Sequence, residues 1–421
     1  MGRTEHFRIS HTRAVEGTYR HVTEMCDAGL VLQTGSSPNG RHVGVDGKQY
    51  LSFGSCSYLS LETRPELRQA AHDAIDRWGT QFSISRVYVQ CALYEELEAC
   101  LAAITGRPTL VAASTSLAHM AALPVLVEDG DSVVVDQFAH ASLHTALRLV
   151  PTAPLEILRH NRMDLLDAAL TRLAPTSKQI WYVADGLYSM LGDFADFEGL
   201  RRLLDAHPKL RLYVDDAHAT SWSGARGRGI TLEHFASDPR VVVALSLNKA
   251  FSAAGGALAV ASEALKLRIR RAGATMLFSG PIQPPMLGAA VGSARLHLSE
   301  EFPGLQRDLS SKIAHAARAL ERHGLVVGAP AESPIFQLHC DSVRMTQAIC
   351  SRMRDLGFYT CAVAFPAVPV NRPGIRFTIC RHNLPEDIDS FVAALAEAQG
   401  EAKARLGRSA AKPALAAALP D

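Results

Sequence analysis

From about residue 60 to residue 300, short apolar runs rich in β-branched residues alternate with amphipathic helical stretches, and nothing else in the sequence narrows the fold as much. The apolar runs are Thr109–Ala113, Ser132–Asp136, Glu156–Arg159, Gln179–Asp185, Arg211–Asp215, Val241–Leu245 and Ala257–Ala261. Helical spacing of apolar residues marks Leu93–Ile104, Met163–Leu173 and Glu198–Asp205 between them. Strands that are apolar throughout are buried on both faces, and alternation with helices argues for a mainly parallel sheet covered on both sides. In such sheets ligands bind outside the carboxyl ends of the strands.

The pattern changes after residue 300. A long helix over Phe302–His323 precedes a strand at Ile335–His339, a helix around Met345–Leu356, a strand at Ile375–Cys380 and a helix from Pro385. The expected organisation is α/β: a large domain over 60–300, a small α+β domain over 301–400 completed by the N-terminal segment 1–59, and a frayed, alanine-rich tail over 401–421.

With 421 residues, 48% of them hydrophobic, the chain can bury substantial cores. Its 43 basic and 42 acidic residues leave a net charge of +1, which provides no field for nucleic acid or an anionic membrane. The eight cysteines lack metal or paired spacing, as expected of reduced thiols in a cytoplasmic protein. Met1–Ser10 is polar, without the apolar segment of a leader, and no stretch approaches 18 apolar residues, so no membrane span is expected.

Chemistry-bearing residues gather where the strands end. Lys249 follows the Val241–Leu245 run in Leu-Ser-Leu-Asn-Lys-Ala-Phe-Ser-Ala-Ala-Gly-Gly, and the chain has only eight lysines. A lysine at the end of a buried strand is poorly solvated, and such an amine can form a Schiff base with an aldehyde. Val214-Asp215-Asp216-Ala217-His218 closes another strand with carboxylates and an imidazole. Asp215 there suits a cofactor's ring nitrogen, but capping a loop is an ordinary alternative. Metal binding is disfavoured because no third ligand follows at ligand spacing.

His140, after the Ser132–Asp136 run, can stack on a flat ring or simply cap the next helix. Ser114, Thr115 and Ser116 open a helix after another strand, where amides and the helix dipole favour a phosphate. Asp185-Gly-Leu-Tyr-Ser189 adds polar groups at the same edge. A phosphate seat, a ring stacker, an acid for a ring nitrogen and a Schiff-base lysine together describe pyridoxal 5′-phosphate.

Over roughly Leu51–Ala394 the chain resembles the α-oxoamine synthases, a family of fold-type-I pyridoxal-phosphate enzymes. The resemblance implies that Lys249 is the Schiff-base lysine, Asp215 the acid on the ring nitrogen, His218 the partner of the phenolic oxygen and His140 the stacking histidine. Ser189 then lines the cofactor pocket, and Thr115, Ser116 and Ser246 serve the phosphate. Arg376, in Pro-Gly-Ile-Arg-Phe-Thr-Ile, clamps the amino acid's carboxylate, for which a guanidinium is well shaped. Ser279 contributes to the neighbouring subunit's phosphate site in a homodimer with a shared active site.

The implied reaction is a decarboxylative condensation of an α-amino acid with an acyl thioester of coenzyme A or a carrier protein. Transamination or plain decarboxylation on the same cofactor is the alternative, and non-catalytic cofactor binding a more remote one. The chain departs from the family at Cys56-Ser57-Tyr58-Leu59-Ser60-Leu61, which replaces Asn-Asp-Tyr-Leu-Gly-Leu. It departs again in the bulky Gly79–Arg86 stretch, at Ser114-Thr115 in place of Ser-Gly, and at Asn248. These differences bear on substrate recognition more than on the cofactor.

Overall fold

A computed structural model describes residues 11–36, 40–328, 332–365 and 367–416. All seven apolar runs between residues 109 and 261 form one sheet. Its strands, from edge to edge, are Thr109–Ala112, Gly256–Ala259, Val241–Ser246, Leu210–Asp215, Ile180–Asp185, Ser132–Asp136 and Leu155–Leu158. Gly256–Ala259 is antiparallel to both neighbours. The other pairings are parallel.

Successive side chains of a strand point to opposite faces. Val134, Tyr182, Leu212, Val214 and Val243 accordingly join one buried apolar cluster. Val133, Val135, Val183, Tyr213 and Val242 join the other. Helices Leu93–Thr105, Met163–Leu173 and Phe197–Ala206 cover the first face. Helix Thr115–Leu126 covers the second. Burial on both faces explains why the central strands read as unbroken apolar runs.

The chain divides into two compact units. One comprises Cys56–Ser311 with Cys380–His382 and contains this sheet. The other gathers Met1–Ser55, Lys312–Ile379 and Asn383–Asp421. In the latter, the strand Ile335–His339 pairs antiparallel with Gly374–Thr378, which pairs in turn with Cys361–Val363. A second small sheet joins Gly35–Ser36, His42–Val45, Lys48–Ser52 and Phe358–Tyr359. Phe53, Phe377 and Phe391 stack within this unit, with 3.9 Å between the rings of Phe53 and Phe391.

The C-terminal helix runs Pro385–Ala416, so most of the segment expected to fray is helical. Residues 417–421 lie outside the described residues, as do residues 1–10, whose polarity argued against a leader. Among the described residues no helix is long and apolar enough to cross a membrane.

Candidate active site

Three parallel strands end in carboxylates, at Asp136, Asp185 and Asp215, and Ser246 ends a fourth. Asp185 and Asp215 are register partners. At this carboxyl edge lies a cavity of about 200 Å³ lined by Ser114, Thr115, Ser116, His140, Ser142, Asp185, Leu187, Asp215, Ala217, His218, Asn248 and Lys249. Thr115, Ser116, His140, Asp215, His218 and Lys249 therefore meet in one place, although up to 134 residues separate Thr115 from Lys249 in the chain.

The helix start is built by capping. Ser114 is extended, and its Oγ accepts the Leu117 amide at 3.1 Å. Its hydroxyl is thus used as an N-cap, while the first-turn amides of the twelve-residue Thr115–Leu126 helix have no partner within the helix. Thr115 Oγ1 donates to the Leu245 carbonyl at 3.3 Å, tying the helix start to the strand before Lys249. Gly256 permits that approach, since a Cβ there would lie 2.4 Å from the Thr115 nitrogen.

Asp215 is 5% exposed and held on both oxygens. Oδ1 accepts the Ala217 amide at 3.0 Å, and Oδ2 lies 3.0 Å from His119 Nε2. Burial alone would raise this carboxyl, but His119, Lys249 and His140 outweigh it and hold Asp215 at about 2. Asp185 goes the other way: burial and the Asp215 charge push it well above the usual carboxylate range, though it accepts the His140 amide at 3.0 Å. Burial and mutual repulsion thus drive the two carboxyls of this register pair in opposite directions.

His140 faces the cavity and caps the Ala141–Leu147 helix, its Nδ1 accepting from the Ser142 amide at 3.3 Å and lying 2.7 Å from Ser142 Oγ. With Nδ1 an acceptor, the neutral ring carries its proton on Nε2. Burial lowers the His140 pKa, partly offset by Asp215. His218 Nδ1 lies 2.8 Å from the hydroxyl of fully buried Tyr58. Lys249, read from the sequence as buried, is only half-buried: it sits in the turn after the strand, with its side chain at the cavity wall.

Other expected site residues are placed differently. Ser246 is 1% exposed, and its Oγ donates to Asn248 Oδ1; Asn248, and not Ser246, lines the cavity. Ser189 is half-buried in the loop after Ile180–Asp185, and Ser279 bonds the adjacent Gly280 carbonyl at 3.4 Å; neither lines the cavity. Arg376 is buried in the Gly374–Thr378 strand, opposite Gln337 and Cys361, and belongs to the other unit.

The departures also have structural expressions. Ser60 stands where the resemblance has glycine, and its backbone is left-handed at φ 56°. Its hydroxyl accepts the His382 amide at 3.3 Å, which offsets part of the roughly 1 kcal/mol strain of a side chain in that conformation. Arg86, ending the bulky stretch, is buried 3.6 Å above the Tyr94 ring and donates to the Val111 carbonyl at 2.8 Å. Asp185 is legible in the sequence as a polar group at this edge, whereas His119 is not. A lone histidine in the apolar run Leu-Ala-His-Met-Ala-Ala reads as core, and only its four-residue offset from Thr115 signals a shared helix face.

Fold and cavity define a pyridoxal-phosphate-dependent transferase of fold type I. More particularly, residues 48–395 match the family described as aminotransferase class I and II, and the chain belongs to that family, in its α-oxoamine synthase branch. A putative 8-amino-7-oxononanoate synthase of Desulfovibrio desulfuricans is 30% identical over 371 residues, covering 87% of this chain and 94% of the relative. The 8-amino-7-oxononanoate synthase of Chromobacterium violaceum is 32% identical over 353 residues, 83% and 90% of the respective chains. A serine palmitoyltransferase of Sphingobacterium spiritivorum is 28% identical over 393 residues, 93% and 94%. The solved serine palmitoyltransferase of S. paucimobilis superposes with a TM-score of 0.85 over 94% of this chain and 100% of that one, at 21% identity, which shows the shared fold.

Proposed function

We propose that this protein condenses an α-amino acid with an acyl thioester, releasing carbon dioxide and free thiol and leaving an α-aminoketone. The observation that carries the reading is the single cavity lined by Lys249, Asp215, His140, His218 and the start of the Thr115–Leu126 helix. Relatives named as an 8-amino-7-oxononanoate synthase and a serine palmitoyltransferase support it.

The cavity fits pyridoxal 5′-phosphate on structural grounds. The amides of a helix start, backed by the dipole and approached closely by Gly256, suit a phosphate. An ionised carboxylate held by two donors suits a protonated ring nitrogen. When bound, the cofactor supplies an aldehyde for an amine and a ring that withdraws electrons from the adjacent carbon.

In this reading Lys249 anchors the cofactor through Nζ and moves a proton at the amino acid's α-carbon. Asp215 would keep the ring nitrogen protonated. His218, fixed by Tyr58, would donate to the phenolic oxygen. His140 would stack on the ring, with Nε2–H available to polarise the thioester carbonyl. Arg376 binds the carboxylate that is later lost. The donor is a thioester of coenzyme A or a carrier protein. A cytoplasmic homodimer is part of the proposal, with Ser279 reaching the partner's phosphate site; exposed Ile84, Val87, Tyr88, Val89 and Phe278 support a buried contact there.

The test is thiol release from acyl thioesters by the purified holoenzyme across a panel of amino acids. Stoichiometric thiol and carbon dioxide are expected with one amino acid. A keto acid formed without thioester consumption would establish transamination instead, and carbon dioxide alone would establish decarboxylation. Turnover surviving in Lys249→Ala would remove the assigned nucleophile.

A further inference from the structure

We infer that His119, backed by Tyr213, is a positioning residue that fixes the Asp215 carboxylate as the ionised partner of the cofactor's ring nitrogen, an inference that rests on the cavity reading above. Tyr213 and Asp215 are two residues apart on one strand, so both side chains leave the same face of the sheet. The Thr115–Leu126 helix crosses that face and carries His119 one turn beyond Thr115. A single imidazole thereby bridges the two, with Nδ1 2.9 Å from Tyr213 Oη and Nε2 3.0 Å from Asp215 Oδ2.

His119 and Tyr213 are both 0% exposed, and His119 lies among Ala118, Ala121 and Ala122, where an apolar side chain would pack without needing partners. Burying an imidazole there is unfavourable unless both nitrogens are bonded, and both are. The bonds also have a direction. An ionised carboxylate only accepts, so His119 Nε2–H is the donor to Asp215 Oδ2. The Ala217 amide holds Oδ1, so the carboxylate is pinned at both oxygens.

Other groups face Asp215 as well. Asp185 comes from the neighbouring strand and Asp216 follows in the chain, while Lys249 and His140 lie across the cavity. The two nearby carboxyls oppose its charge. His119 is the counterweight whose position is set by bonds on both sides. Without it, the carboxylate loses a donor and the freedom to rotate returns.

The experiment uses full-length protein reconstituted with nitrogen-15-labelled pyridoxal 5′-phosphate. It reads cofactor affinity by equilibrium dialysis and ring-nitrogen protonation by NMR across pH. His119→Phe is expected to weaken cofactor binding about ten- to a hundredfold, the range for losing a hydrogen bond to a charged group, and to release the ring proton at lower pH than wild type. His119→Asn, which keeps one donor, is expected to restore most of both, and Tyr213→Phe to fall between wild type and His119→Phe. If His119→Phe does not fold, the other two variants carry the test. Wild-type ring-nitrogen titration and affinity in the variants that fold, with only the melting temperature lowered, would make His119 a core residue and overturn the inference. Failure of the wild-type chain to bind the cofactor would instead remove the cavity reading beneath it.

Discussion

Gly256→Ala is expected to damage the proposed cofactor site through backbone alone. A Cβ at this position would lie 2.4 Å from Thr115 N, 2.5 Å from Thr115 Cα and 2.7 Å from the Ser114 carbonyl carbon. Non-bonded heavy atoms settle near 3.5–4.0 Å, so the helix start and the strand must part by about 1 Å. All three atoms are main chain, and no side-chain rotation relieves the clash. Overpacking of this kind costs about 1–3 kcal/mol of stability. A 1 Å displacement of positioning groups costs up to about a hundredfold in function.

Equilibrium dialysis of pyridoxal 5′-phosphate against the variant, with urea unfolding of the apoprotein, separates the two effects. Cofactor affinity is expected to fall at least about tenfold, and folding stability by the amount above. Affinity within twofold of wild type, with stability lowered by less than about 0.5 kcal/mol, would refute the argument that this glycine is there for close approach.

Three further outcomes are expected. His160 lies between Asp136 Oδ1 at 3.0 Å and Asp193 Oδ2 at 2.6 Å; burial opposes its charge, but the two carboxylates prevail and raise it to about 9. Its contribution is fully present below the unfolded value near 6.5 and is lost as pH rises through about 9, an effect of about 3 kcal/mol counted once for the cluster. Urea unfolding between those pH values should show this decline in wild type and lose it in His160→Gln; equal slopes would exclude it. Arg107 donates to the carbonyls of Ala236, Val241, Phe235 and Asp238 at 2.5–2.9 Å, so Arg107→Met should cost at least about 3 kcal/mol by stranding them, and a loss below about 1 kcal/mol would contradict that role. Gly400 sits inside the Pro385–Ala416 helix with no atom within 4 Å of a prospective Cβ, so Gly400→Ala should raise unfolding free energy by about 0.5–1 kcal/mol; a decrease would show an unrecognised contact.

The sequence announced the sheet because its central strands are buried on both faces, although the edge strand Leu155–Leu158 exposes Leu155 and Ile157. Every apolar run from Thr109 to Ala261 became a strand, since nothing but a two-sided core accommodates Val241-Val242-Val243-Ala244-Leu245. What the pattern did not reveal was direction. Gly256–Ala259 turns back against both neighbours, and period and composition do not distinguish parallel from antiparallel strands.

In the cavity, residues at strand ends were legible because topology alone puts them on one edge. His119 was not, because its role depends on which helix crosses Tyr213 and Asp215. The phosphate role of Ser246 is what the resemblance implies. Its hydroxyl donates to Asn248, a contact two residues away that the resemblance does not foresee.

The reversed strand also fixes an order of events during synthesis. Among the described residues Thr109–Ala112 pairs only with Gly256–Ala259, so Thr109 waits for Ala259 before it has a sheet partner. At ribosomal speeds that interval is on the order of ten seconds, during which an apolar strand stands as an open edge. The same late strand brings Gly256 against Thr115. At the proposed cofactor site, the helix start and the Lys249 loop are therefore brought together only after this late strand has been made and has folded back.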